Sequence, residues 1–185
     1  MIKTIKENLL MENKYFKVEN NKVLFKGKHE GEHLRVTPTT KEGVGVLPIT
    51  KEGNVIIQDE FRYSYNGLIT QVVKGGLKEG QTPEQAAKEE LEEELSLSYQ
   101  KLIPLGNFVE HPSIVCQKGY SFLAIGCEHK DDSLSAESSE CFQNKRVISF
   151  EELVEEVMSN KLDCAVTQML VLKANEYIKR NNIKI

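Results

Sequence analysis

Short apolar runs separated by polar turn signals fill most of the first half of the chain. Residues 15–27 contain two runs rich in β-forming residues around the polar triplet at 19–21, which predicts an N-terminal β-hairpin with its turn there. Residues 44–63 contain two more apolar runs around a polar turn, and residues 68–73 form another. We expect these stronger runs to form the central sheet.

The second half of the chain changes from strand patterns to helical spacing. Strands are predicted at 101–110 and 119–128, and the Ser/Glu-rich residues 129–144 are predicted to form a loop. Ser149, with a glutamate three residues on, predicts a capped helix, and apolar positions after Asp163 repeat at helical spacing. One helix between strands and two at the end predict a single layered domain of the α+β or α/β class.

The helix between the strands has the best defined start. Thr82 is a good N-cap, Pro83 suits the first helical position, and Gln85 completes a capping box. A glycine-rich turn precedes it, directly after the strand at 68–73. Three apolar residues recur at four-residue spacing and should face the core: Ala87, Leu91 and Leu95.

Carboxylates crowd the remaining surface of this helix. With the apolar stripe facing inward, Glu90 and Glu94 share one flank, and Glu93 lies beside Glu90. A solvated acidic face would explain such a cluster, but the glycine turn favours a divalent cation, which prefers carboxylate oxygens. Gly75 and Gly76 would let main-chain atoms approach an ion or a phosphate closely.

Composition and charge narrow the possible functions. The chain has 185 residues, 39% hydrophobic and 28% charged, which are values typical of one globular domain. A net charge of −4 argues against a duplex nucleic-acid binder, and no apolar run is long enough to span a membrane. The four cysteines show no CxxC pairing and the first residues lack the pattern of a secretory signal, so we expect a cytoplasmic protein with free thiols.

The segment from Gly75 to Leu97 resembles the Nudix box, Gx5Ex7REUxEExGU, in which U is a bulky aliphatic residue. Six of its nine specified positions match, namely Gly75, Glu90, Leu91, Glu93, Glu94 and Leu97. Three depart from it, namely Gln81 for glutamate, Glu89 for arginine and Ser96 for glycine. Residues 44–63 and the later strand and helices are similar to the ADP-ribose pyrophosphatase branch, so the resemblance covers about residues 35–178.

This resemblance implies a fold and a reaction. The expected fold is an α/β/α layered sandwich with a mixed central sheet at 35–185, preceded by an N-terminal β arm at 1–34. The expected reaction is hydrolysis of a nucleoside diphosphate linked to another moiety, most simply ADP-ribose or a similar nucleotide sugar, with Mg²⁺ or Mn²⁺. By position, the metal ligands would be Glu90, Glu94, Glu93 and the backbone of Gly75, and Glu93 would also serve in catalysis.

The three departures from the box leave an alternative open. In the family the first glutamate and the arginine resemble a structural ion pair, which a hydrogen bond between Gln81 and Glu89 could replace. Gln71 also stands where the branch often has glutamate. A non-catalytic module that binds nucleotides on the same fold is therefore the alternative, and a protein-interaction domain with a merely solvated acidic helix is a third.

Four further side chains are candidates for the site. Arg62 could clamp a substrate phosphate or pair with Asp59 or Glu60, and Lys74 could contact phosphate or be solvated. Glu137 and Glu140 lie in the polar loop where related enzymes place a catalytic base or an extra ligand. The two β-like runs before residue 35 further predict a homodimer, because such arms often exchange between subunits in the resembling branch.

Overall fold

The computed structural model describes residues 1–129 and 142–185, which contain twelve strands and three helices. They form two compact units: an N-terminal unit of residues 1–42 with 108–119, and a larger unit of residues 43–107 with 120–185. None of the helices in the described residues is long and apolar enough to cross a lipid bilayer.

The N-terminal unit is built around a four-stranded antiparallel sheet. Its strands are β1 (Ile2–Lys6), β2 (Leu9–Glu12), β3 (Phe16–Phe25) and β4 (His29–Pro38). Strand β4 pairs with β3 along its whole length, whereas β1 and β2 pair with the two halves of the other edge of β3. The central strand β3 therefore has strand partners on both sides.

The predicted hairpin turn at residues 19–21 is wrong, because these residues lie in the middle of β3. The Asn21 side chain and the Asn20 main chain instead bond to the connection between β1 and β2. Asn21 Oδ1 accepts the Asn8 amide at 2.8 Å, and the Asn20 amide donates to the Asn8 carbonyl at 2.9 Å, where the edge strand changes from β2 to β1. The hairpin turn lies at Lys26 and Gly27, both with positive φ.

The larger unit contains an eight-stranded sheet and all three helices. Its strands are β5 (Glu42–Thr50), β6 (Asn54–Arg62), β7 (Gly67–Gln71), β8 (Val73–Gly76), β9 (Leu97–Ser98), β10 (Lys101–Phe108), β11 (Lys118–His129) and β12 (Phe142–Ser149). The main order is β10-β11-β5-β6-β12, with β7 beside β6, β8 beside β5 and β9 beside β11. The helices are α1 (Pro83–Leu95), α2 (Phe150–Met158) and α3 (Ala165–Arg180).

Helices α1 and α3 cover opposite faces of this sheet. Val44 and Val46 of β5 belong to the core cluster that also holds Leu91 of α1. Between them, Gly45 faces the other way, and a methyl group at this position would lie 3.0 Å from Leu170 Cδ1 of α3. Since side chains alternate along a strand, the sheet is the middle layer of an α/β/α arrangement.

The strand predicted at 68–73 is interrupted at Val72, which separates β7 from β8. At that break the buried Val72 amide donates to Thr167 Oγ1 of α3 at 3.2 Å. Strand β7 pairs with β6 and β8 pairs with β5, because β5 and β6 are paired only beside their hairpin, at Ile49 and Val55. At this break the chain therefore changes its pairing partner from β6 to β5.

Strand β12 was not predicted, because its polar and charged residues do not alternate with apolar residues as in a typical half-buried strand. It pairs with β6 from Phe142 opposite Glu60 to Ser149 opposite Asn54. The predicted loop at 129–144 lies mostly outside the described residues, and its two ends belong to β11 and β12. The predicted helices α2 and α3 are present, and Ser149 caps α2 by accepting the Glu152 amide at 3.1 Å.

Candidate active site

Helix α1 begins and faces the sheet as its sequence predicts. The capping box between Thr82 and Gln85 is complete, and Ala87, Leu91 and Leu95 are buried. Glu90 and Glu94 lie one turn apart on the flank beside this stripe, which we call the inner flank. Glu94 is only 4% exposed and Glu90 is half-buried, whereas the Glu93 side chain is 47% exposed. The inner flank therefore places one carboxylate almost fully inside the protein.

Glu94 is held at both its side chain and its main chain. The Gln58 amide Nε2 of β6 donates to Glu94 Oε2, and Lys145 Nζ of β12 donates to the Glu94 carbonyl at 2.7 Å. Gln58 and Lys145 are direct cross-strand partners, so one register position of the sheet supplies both donors. Sequence reasoning missed both residues. For Gln58, the sequence did contain a signal, because this polar residue directly follows the branched apolar residues Val55 to Ile57 in a strand suited to the core.

Glu90 lies directly against the glycine turn. A methyl group placed on Gly75 would be 1.7 Å from Glu90 Oε1, which is far inside van der Waals contact. Glycine is thus required at position 75 because the carboxylate occupies the space of a side chain. The contact brings the Gly75 main chain and the Glu90 carboxylate together, as the sequence predicts.

A second polar group continues along β6 on the same face of the sheet. Arg62 forms an ion pair with Glu60 at 2.7 Å and donates to Gln71 Oε1 at 3.1 Å, while the Gln71 amide donates to Glu60. Asp59 and Glu60 were both predicted as structural partners of Arg62, and Glu60 is the one that Arg62 contacts. Asp59 instead accepts a hydrogen bond from the Thr70 hydroxyl at 2.6 Å. The Arg62 side chain remains 41% exposed, so part of it stays accessible to a ligand.

Other predicted residues are not brought to the inner flank. Lys74 alternates with Gly75 along β8, and its Nζ lies 3.8 Å from Cys164 Sγ just before α3, on the opposite face of the sheet. Gly76 ends β8 opposite Gly43, and only its main chain can contribute to a site. Glu137 and Glu140 lie outside the described residues, so their predicted roles stay predictions.

A family model described as the NUDIX domain matches residues 39–166. The chain belongs to the NUDIX domain family. The resemblance given by the box and the flanking strands is thereby confirmed, and the alignment covers both the sheet and the acidic helix. Nudix enzymes generally use divalent metal cations, and the acidic flank of α1 is the candidate site for such a cation.

This Nudix chain is similar to two curated relatives over part of their length. It is 31% identical over 123 residues to ADP-ribose pyrophosphatase of Bacillus subtilis (strain 168), covering 66% of this chain and 60% of the relative. It is 25% identical over 97 residues to the methanol dehydrogenase activator of Bacillus methanolicus, covering 52% of each protein. The chain thus spans only about half to three-fifths of the length of these curated relatives.

The fold also matches a solved structure. A crystal structure titled ADP compounds hydrolase superposes with a TM-score of 0.80 at 20% identity, covering 96% of this chain and 97% of the other. This likeness confirms the layered Nudix fold that the sequence predicts.

The altered positions of the Nudix box retain the link between turn and helix. Gln81 Nε2 donates to Glu89 Oε2 at 2.5 Å, as predicted, and Lys78 forms an ion pair with Glu89 and lies 3.9 Å from Glu93. The bonds from Lys78 and Gln81 hold the pKa of Glu89 below its ordinary value. The negative charge that Glu89 introduces in place of the arginine of the box is thus compensated by Lys78.

The third departure lies at the end of α1. Ser96 adopts the left-handed conformation, with φ of 52° and ψ of 40°, and its amide donates to the Glu92 and Leu91 carbonyls. The box specifies glycine here because glycine adopts positive φ without steric cost. Serine makes the same turn with strain, so this departure affects stability and leaves the path of the chain unchanged.

The inner flank has the donor chemistry of a hard-cation site. Across residues 1–129 and 142–185, no three His, Cys, Asp or Glu side chains are grouped so that they could hold a metal ion by themselves. Mg²⁺ is usually bound by one or two carboxylates together with water and substrate phosphates. Glu90, Glu94 and the Gly75 main chain carry oxygen atoms that could serve as ligands of that kind. Close by, Gln58 Oε1 is a buried acceptor to which no described residue donates.

Proposed function

We propose that this chain is a Mg²⁺-dependent pyrophosphohydrolase that acts on ADP-ribose or a similar nucleotide sugar. Water would enter across the phosphoanhydride bond, giving a nucleoside monophosphate and a sugar phosphate. The observation that carries this proposal is the inner flank, where a buried Glu94 and a Glu90 seated on Gly75 lie one turn apart. The printed names of the ADP-ribose pyrophosphatase relative and the ADP compounds hydrolase structure support the substrate class.

Each proposed role follows from where the side chain lies. Glu90 and Glu94 would hold Mg²⁺ or Mn²⁺, with the Gly75 carbonyl as a further ligand. The bound cation supplies charge neutralisation on the phosphates and a water of lowered pKa. Glu93 is exposed beside these residues, so it can accept a proton from water or complete the ligand set. The Gly76 main chain and the accessible guanidinium of Arg62 would contact the substrate phosphates.

Incubation with a substrate panel tests the proposal. The purified chain should consume ADP-ribose, NADH, a nucleotide sugar or a diadenosine compound with Mg²⁺ or Mn²⁺, and chelation by EDTA should stop turnover. Products would be separated by chromatography, and ADP-ribose or a nucleotide sugar should yield both a nucleoside monophosphate and a sugar phosphate. Failure to consume any of these compounds, together with a rise in melting temperature on adding ADP-ribose, would instead support the non-catalytic binding module.

We also propose that the chain forms a homodimer through the N-terminal unit. Six large apolar side chains there are about half exposed, which is unusual for the surface of a monomer: Ile2, Ile5, Leu9, Leu10, Met11 and Phe16. A second copy of this chain would cover them. Sedimentation at micromolar concentration should detect a dimer, and Leu10→Glu should shift it toward monomer. A native chain that sediments only as monomer would refute the proposal.

A further inference from the structure

Gln58 is a buried polar residue in a strand that is otherwise suited to the core. It is 1% exposed and follows Val55, Ile56 and Ile57 on β6. Its Nε2 donates to Glu94 Oε2, but no described residue donates a hydrogen bond to its Oε1. A buried carbonyl oxygen that has lost its hydrogen bonds to water lowers stability, and an apolar residue at this position would avoid that cost.

The contact with Glu94 determines how the amide is oriented. An ionised carboxylate only accepts hydrogen bonds, so the nitrogen of the Gln58 amide faces Glu94. The amide oxygen is bonded to the same carbon as this nitrogen and therefore lies close to the Glu94 carboxylate. The donated bond occupies Oε2 of Glu94. Lys145, opposite Gln58 in the sheet, holds the Glu94 main-chain carbonyl at 2.7 Å. Glu94 is thereby held at its carboxylate by β6 and at its main chain by β12.

We propose that Gln58 is a positioning residue that sets the cation affinity of the inner flank. It holds one oxygen of Glu94 and thereby sets the orientation of this carboxylate on the inner flank. Its own amide oxygen is a neutral acceptor beside the same site, suited to a water bound to the cation. The inference rests on the proposed function, because it concerns the residue taken to be a metal ligand.

The first test replaces Gln58 by methionine, which has a similar length and no polar group. Outer-shell partners of metal ligands typically contribute about 10- to 100-fold to metal affinity. In Gln58→Met, the Mg²⁺ concentration that half-saturates turnover should therefore rise at least about tenfold. The KM for nucleotide, measured at saturating Mg²⁺, should stay within a few-fold of the native value. The rise in melting temperature caused by a fixed Mg²⁺ concentration should shrink in parallel, because only binding to the folded state produces it.

Thr167→Val is the matched control. It also removes a buried side-chain hydrogen bond to this sheet, the one to the Val72 amide, but on the face covered by α3. It should lower the melting temperature without changing the Mg²⁺ dependence of turnover or of stability. Should Gln58→Met not fold, the side-chain amide of Gln58 can be followed by NMR in the native chain, where it should shift with the midpoint of Mg²⁺ binding.

The outcomes separate this inference from the proposed function. If native protein responds to Mg²⁺ and Gln58→Met responds at the same concentrations, or the amide signal does not move, Gln58 is only structural and the inference fails alone. If Thr167→Val weakens the Mg²⁺ response as much as Gln58→Met, general loss of stability explains both and the inference also fails. If native protein neither turns over nucleotide nor is stabilised by Mg²⁺, the proposed function fails and the inference fails with it.

Discussion

Helix α1 carries glutamates on two flanks that differ in how the protein surrounds them. On the outer flank, formed by Glu89 and Glu93, Lys78 pairs with Glu89 and lies 3.9 Å from Glu93, and both side chains are substantially exposed. On the inner flank, Glu94 is buried against the neutral amide of Gln58 and Glu90 lies on Gly75. Glutamates a few residues apart therefore lie at an exposed ion pair on one flank and against closely packed groups on the other.

The difference indicates which flank is built for a ligand. An exposed ion pair is worth little and tolerates substitution, because water screens it. A buried carboxylate beside a neutral amide donor has the oxygen chemistry that a hard cation binds. We therefore expect substitutions of Glu90 and Glu94 to reduce turnover strongly, and substitutions in the pair formed by Lys78 and Glu89 to change the local pKa values and the stability only slightly.

The largest effect is expected from removing a carboxylate of the inner flank. Glu94→Gln or Glu90→Gln keeps size and hydrogen bonding but removes a ligand charge, so turnover should fall at least about 100-fold. Glu92 is rotated away from both, and Glu92→Gln should change turnover by only a few-fold. Kinetics on the three variants would decide the assignment, and equal losses in all of them would mean that the helix is only a diffuse negative surface.

A methyl group at Gly75 should disturb the same flank without removing any charge. Gly75→Ala would place a carbon 1.7 Å from the present position of Glu90 Oε1, so the carboxylate must move. Misplacement on this scale should lower turnover by about 10- to 100-fold. Gly80→Ala is the control, because Gly80 has φ of +77° but nothing within 4 Å of an added methyl. It should cost about 1 kcal/mol of stability and leave turnover unchanged.

At the end of the helix, Ser96→Gly should stabilise the protein. Serine at φ 52° is strained, and glycine removes the strain at the expense of a more flexible unfolded chain. The net gain in the free energy of unfolding should be about 0.5–1 kcal/mol, measured by chemical denaturation. An unchanged or lower stability would show that the serine side chain contributes contacts that offset the strain.

The smallest effect is expected on the outer flank. In Lys78→Met, the pKa of Glu89 should rise toward its ordinary value, because the bond from Lys78 is the main cause of its lowering. A carboxyl with a lowered pKa adds stability above its unfolded pKa and loses it as pH falls through the folded pKa. The small stability difference between native and Lys78→Met should therefore vanish in acid. NMR titration of Glu89 gives the pKa, and turnover should stay within a few-fold.

Much of this architecture could be predicted because it depends on local sequence. The capping box, the inward stripe of α1 and the strands around residues 51–54 follow from neighbours only a few positions apart. The Gln81–Glu89 bond was also predictable, since loop and helix are adjacent in sequence. The turn placed at residues 19–21 was not, because Asn20 and Asn21 bond to Asn8, and a contact across that distance leaves no local signal.

The sequence by itself determined which helix carries the carboxylates, which of them share a flank, and the family to which the chain belongs. Only the tertiary structure decided that Glu94 is buried, that Gln58 and Lys145 hold it, and that Lys78 pairs with Glu89. The physical reason is the range of the interactions. Periodicity fixes the direction of a side chain on its own helix, whereas burial and partners depend on strands far away in sequence whose register forms only when the sheet assembles.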